Sequence, residues 1–155
     1  MNNLKKAIIC FFIIGSSSAI AKPAESLIDA QNAIKSRQAV HLLMYNSMMK
    51  IKEIINNKKP YNESDMKFNA QNLYNLTLMV EPYFMIDTSG FKIENHTNNN
   101  LWLNEKDITN KSIDVIRLSQ SLLSAAEVGD KPQIASTFSE TFKACKACHY
   151  DYKIK

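Results

Sequence analysis

The stretch DKPQIASTFSETFKACKACH, residues 130–149, carries helix signals at its start and a reactive motif at its finish. Asp130 is a helix N-cap type, Pro132 suits the first turn, and Gln133 stands at the reciprocal position of a capping box. Ile134, Phe138 and Phe142 then recur every four residues, one apolar face of a helix. That face leads into Cys145-Lys146-Ala147-Cys148-His149. On a helix, Cys145 and Cys148 stand three positions apart on one side, and His149, four beyond Cys145, joins them. C-x-x-C-H is the spacing of covalent c-type haem attachment: two sulfurs reach the two vinyl groups of one haem edge as thioethers, and the imidazole meets the iron as proximal ligand.

Other readings of the pentad are weaker. A zinc site wants a fourth ligand or an open catalytic position, and outside the N-terminal region there is neither a second cysteine pair nor more than two other histidines. A thioredoxin-like pair belongs at a helix N-terminus after a strand, whereas this pair ends a helical segment.

The N-terminus is consistent with export. Asn2 to Lys6 form a short basic region, Ala7 to Ile14 an apolar run, and Ala19-Ile20-Ala21 a small-x-small site, so residues 1–21 read as a secretory signal cleaved after Ala21. Cys10 leaves with it. Cleavage removes two lysines and no acid, taking the formal charge from +4 to +2. So mild a balance, without a basic run, argues against a nucleic-acid surface. Residues 22–155 are expected to form one domain that buries a core enlarged by the haem.

Through that domain the hydrophobic period is helical. Leu27, Ala30, Ile34, Arg37, His41, Met44, Met48, Ile51 and Ile55 alternate spacings of three and four, giving a first helix over about residues 25–56 that ends before Pro60. A second begins near Asn62 or Ser64, carries Met66, Leu73, Leu76 and Val80, and stops before Pro82. From Tyr83 to Leu103 the period breaks into a long connection around Phe84, Phe91 and Trp102. A third helix spans about 104–127, with Gly129 placed to cap it. No strand-like alternation competes. The expected fold is all-α, an antiparallel four-helix bundle with covalently attached haem c at one end, the pentad facing the seam of the first helix.

The terminal pentad preceded by Phe142 and followed by Tyr152-Lys153, with Arg37-Gln38 early in the first helix and Leu101-Trp102 before the third, resembles the class II cytochromes c, the cytochrome c-prime group and its low-spin members. The resemblance covers residues 25–155. It implies a periplasmic protein with one haem c per chain, often a homodimer through its first two helices, whose distal iron face is either empty behind an apolar residue or filled from the first helix. It also implies that Arg37 and Gln38 approach the haem propionates, although Gln38, off the seam, reads equally as a solvated residue. A guanidinium on an apolar seam independently needs an anionic partner, or must snorkel to a surface ion pair. Lys153 stands where the family commonly has arginine, so a planar fork is lost there.

Four residues beyond Arg37, where the family has an apolar residue or methionine, stands His41. It can ligate iron, hydrogen-bond to a neighbouring helix, or line a distal pocket without touching the metal. Met44, one turn on, is the rival sixth ligand or a packing residue. Trp102, Tyr83 and Phe142 read as pocket or core walls, and His96 as solvated. With both iron faces filled, the expectation is an electron carrier for periplasmic redox partners; with an open distal face, a binding module for nitric oxide or carbon monoxide. No acid–base constellation beyond His41 suggests an enzyme.

Overall fold

The computed structural model describes residues 21–154. The signal segment and Cys10 lie outside the described residues, apart from Ala21 itself. Four long helices dominate: α1 (Leu27–Ile55), α2 (Glu63–Thr77), α5 (Glu105–Val128) and α6 (Lys131–Tyr152). Between α2 and α5 lie two short helices, α3 (Val80–Phe84) and α4 (Asn100–Leu103), and the strand β2 (Ile86–Asp87), which pairs in parallel with β1 (Lys22–Pro23). Among the described residues no helix is long and apolar enough to cross a membrane.

Local chemistry sets the ends of these helices. The Ser26 side chain accepts from the Asp29 amide at 3.1 Å and Asn62 from Asp65 at 2.9 Å, each satisfying an orphan donor of a first turn. α1 ends at Asn56, followed by Asn57 with φ of 55°, a left-handed position that asparagine tolerates. Gly129, at φ 71°, closes α5 as expected, and Asp130 accepts from the Gln133 amide at 3.0 Å to open α6.

The second helix departs from its expected course. It ends at Thr77, and the chain restarts at Val80 with Pro82 inside the first turn of α3. In one continuous helix Pro82 would clash with the Leu78 carbonyl and leave it unbonded; in a first turn its missing N–H costs nothing. The β1–β2 pair was likewise not expected: two residues per strand are too few to show alternation. It is held by the Lys22 and Ala24 amides, which donate to the Met85 and Asp87 carbonyls at 2.8 Å each.

α1 packs on α2, α2 on α5 and α5 on α6, up and down in turn, while α1 and α6 meet more sparingly. One core cluster gathers Met44, Met48, Ile51, Met66, Leu73, Leu122 and Ile134 between the helices. A second, of Phe84, Leu101, Trp102, Ile108 and Tyr152, fills the end where α1 and α5 begin and α6 finishes. Between Thr141 and Tyr152 no residue of α6 is buried. A helix whose inner face is left unburied within a bundle leaves room beside it, and here that room lies toward α1.

Candidate haem cleft

The pentad lies on the last turns of α6. Cys145 and Cys148 are free and half-buried, and burial pushes both thiols up to about 11. Among the described residues no group of three or more His, Cys, Asp and Glu converges to hold an ion. The zinc reading therefore finds no support in the geometry. His149 is exposed at the mouth of the cleft, its pKa lowered first by partial burial and then by the charges of His41 and Lys153.

His41 faces it from α1. The two imidazole rings lie 5.7 Å apart, centroid to centroid, tilted by 40°. His41 Nδ1 is 2.9 Å from the Arg37 carbonyl oxygen. A carbonyl only accepts, so Nδ1 carries the hydrogen and Nε2 keeps its lone pair. Burial lowers the His41 pKa, partly opposed by that same hydrogen bond. Phe84 stands edge-on to the ring at 5.5 Å, walling it from the crossover segment. Both shifts favour the neutral imidazole, the form that binds iron.

Two cavities flank the pair. One, of about 340 Å³, is lined by Arg37, Gln38, His41, Phe84, His96, His149 and others; the second, of about 390 Å³, by His41, Met44, Met48, Val115, Phe142, Cys145 and their neighbours. Cys148, His149, Tyr45 and Lys153 belong to both. The walls are largely apolar, as a porphyrin face requires.

Arg37 is buried, 3% exposed, and burial pushes its pKa down to about 10, an effect Asp87 partly offsets. Its Nη1 donates to the Ile86 carbonyl at 3.0 Å and more distantly to Tyr83 at 3.4 Å, and its Nη2 to Thr88 Oγ1 at 2.8 Å. The Phe84 and Trp102 rings lie 5.7 and 5.4 Å from its guanidinium carbon. Of the alternatives open to a seam arginine, snorkelling to a surface ion pair does not occur; two carbonyls of the crossover accept from Nη1 and the Thr88 hydroxyl from Nη2. Its Nε is buried with no partner. An unpaired buried donor on the wall of a haem-sized cleft fits a propionate oxygen. Gln38 is exposed on the rim of the same cavity.

Met44 is buried within the core cluster and also lines the second cavity. Phe142 lines that cavity too, stacked on Phe138 at 6.3 Å, whereas Trp102 and Tyr83 line neither cavity and pack in the core clusters. His96 is exposed but borders the first cavity, and its carbonyl accepts from the Ile154 amide at 2.9 Å. Thr97 bridges to Lys153, so the C-terminal tail is tied to the crossover.

One group of supporting residues is absent from the sequence reading. Asp107, on α5, accepts from Lys111 Nζ at 2.7 Å and from Tyr152 Oη at 2.5 Å, and Lys111 also pairs with Asp151 at 3.2 Å. This network fastens the last turn of α6, directly beyond His149, to the start of α5. Only the i,i+4 spacing of Asp107 and Lys111 is visible in the sequence; the contribution of Tyr152 needs the fold. Trp102 Nε1 similarly donates to the Phe84 carbonyl at 2.9 Å.

Comparison with known proteins finds relatives along most of the described helices. The family described as Cytochrome C' matches residues 32–153. Cytochrome c' from Alcaligenes xylosoxydans xylosoxydans is 24% identical over 129 residues, covering 81% of this chain and 95% of the relative. Among solved structures, cytochrome c prime from Shewanella frigidimarina superposes with a TM-score of 0.76 at 25% identity, covering 81% of this chain and 97% of that one. A ferrous variant of cytochrome c prime from Alcaligenes xylosoxidans, with bound NO, superposes with a TM-score of 0.74 at 24% identity, covering 81% and 96%.

Proposed function

From the premise that the chain belongs to the cytochrome c-prime family and carries one covalently bound haem c, we propose that it is a six-coordinate electron carrier rather than an enzyme. Cys145 and Cys148 hold the haem, His149 is the proximal ligand and His41 the distal one. The observation that carries this reading is the His41 imidazole, 5.7 Å from His149 with Nδ1 engaged by the Arg37 carbonyl and Nε2 left free. When bound, the haem supplies a one-electron iron couple. The chain's own part is to hold two neutral imidazoles in opposition, to exclude water with Phe84 and the methionine wall, and to offer Arg37 Nε and Gln38 to the propionates. Met44, buried among apolar neighbours, is a packing residue. With residues 1–21 read as a cleaved signal, the carrier works in the periplasm.

A second reading, reversible binding of nitric oxide or carbon monoxide, is favoured by the relatives: among the similar solved structures are nitric oxide complexes of cytochrome c prime variants. The two readings differ in what occupies the distal face. The holoprotein should give low-spin optical spectra in both oxidation states and a low-spin ferric paramagnetic-resonance signal, His41→Ala should turn the ferric form high-spin and let the ferrous form take up carbon monoxide rapidly, and Met44→Leu should leave the spectra unchanged. A wild type that is already high-spin and gas-binding replaces the carrier reading with the second one.

A further inference from the structure

The two helices that form the haem cleft share an unusual charge pattern. α1 has no acidic residue from Ala30 to Lys52, and α6 has none from Thr141 to Tyr150. The residues lining the two cavities include Arg37, Lys111, Lys146 and Lys153, and no aspartate or glutamate. Of these, Arg37 is buried and Lys111 is neutralised by Asp107 and Asp151. Lys146 and Lys153 are exposed at the mouth, with Lys143 one turn before Lys146 on the open side of α6.

Inside this basic border the surface is apolar. Leu42 and Tyr45 are each 60% exposed, and Phe142 is 38% exposed beneath the Lys146 ammonium, 5.9 Å from its ring. Tyr45 lines both cavities, and Cys145, which marks the thioether edge of the haem, lines the one that Phe142 and Lys146 border. Exposed aromatic and aliphatic groups edged along α6 by lysines have the anatomy of a transient docking face: the apolar centre sheds water on contact, and the charged edge steers the encounter.

We propose that the mouth of the α1–α6 cleft, centred on Leu42, Tyr45 and Phe142 and edged by Lys143, Lys146 and Lys153, docks an electron-transfer protein whose own contact face is acidic. The proposal rests on the electron-carrier reading and specifies its partner by charge complementarity. The formal charge of residues 22–155 is only +2, so attraction depends on where the lysines sit and not on the molecule as a whole.

The test uses the haem-loaded protein on gold electrodes coated with carboxylate-terminated or ammonium-terminated alkanethiol monolayers. The carboxylate layer stands in for the acidic partner. A reversible wave is expected on the carboxylate layer and not on the ammonium layer, fading when salt is raised to ~0.5 M, where screening acts within a few ångströms. Lys146→Glu and Lys143→Glu, each checked first for covalent haem, should lower electroactive coverage several-fold. Lys58→Glu changes the net charge equally at the opposite end of the bundle and should leave coverage unaltered. Equal waves on both layers, or equal losses in Lys58→Glu and Lys146→Glu, overturn the proposal. So does sedimentation showing a dimer that Tyr45→Arg dissociates, because a second copy then covers the face. The carrier reading fails by a different signal, a high-spin, gas-binding wild type, so the two failures are distinct.

Discussion

Replacing Arg37 by methionine, which keeps side-chain length and apolar contact, removes the clamp between α1 and the crossover. Two good hydrogen bonds are lost, to Ile86 O at 3.0 Å and Thr88 Oγ1 at 2.8 Å; the 3.4 Å contact to Tyr83 O adds little. Bonds to a charged donor contribute ~1.5–3 kcal/mol each, so the pair is worth ~3–6 kcal/mol. Against this stands the cost of burying the guanidinium, which pushes its pKa down to about 10 and so disfavours the cation by ~3 kcal/mol. The balance is a net loss of about 1.5 kcal/mol at the middle of that range, or a urea midpoint lowered by ~1 M. Urea unfolding of the holoprotein followed by far-ultraviolet circular dichroism measures it. The loss should be local in origin: the amides of Lys22 and Ala24, bonded to Met85 and Asp87, should exchange hydrogen faster in Arg37→Met than the amides of mid-α5. Arg37→Lys, keeping the charge without the planar fork, should recover part of the stability. A methionine variant within ~0.5 kcal/mol of wild type, with Ala24 still protected, would refute the clamp.

Two further predictions follow from the end of α6. Wild-type haem should stay with the chain through denaturing electrophoresis and acid-organic extraction, whereas the Cys145→Ala, Cys148→Ala double variant should release it; full extraction from wild type would remove the thioether assignment. Asp107 is held below the usual carboxylate range by hydrogen bonds from Lys111 and Tyr152, so its contribution to stability is present above the unfolded value of about 4 and is lost as pH falls through the lower folded value. Asp107→Asn should therefore flatten the acid limb of stability below pH ~4, and identical limbs in variant and wild type would show that the network carries no linkage.

Much of the cleft is legible in the chain because its chemistry is local. The spacing of Cys145, Cys148 and His149 places them on one helix face whatever surrounds it, and the alternating threes and fours from Ala30 to Ile51 put Arg37 and His41 on one seam. Caps are equally local: Asp130 and Gly129 act where a side-chain oxygen and a positive φ are needed within one turn. Seam membership is less secure at its ends. Leu27 proves 52% exposed, and Ile54 rather than Ile55 is buried.

What the sequence determined by itself was the set of groups on each helix; what tertiary structure decided was which groups meet. That His41 stands across from His149 follows from α1 and α6 bordering one cleft, a relation between residues more than a hundred positions apart that no periodicity encodes. Arg37 needed an acceptor on grounds of charge alone, but only the folded crossover brings the Ile86 carbonyl and Thr88 to it. The same holds for Tyr152 on Asp107 and for the paired strands β1 and β2. The Arg37 contacts and the strand pair depend on the path of a long connection, and such a path is set by buried polar groups finding partners in three dimensions, not by local propensity.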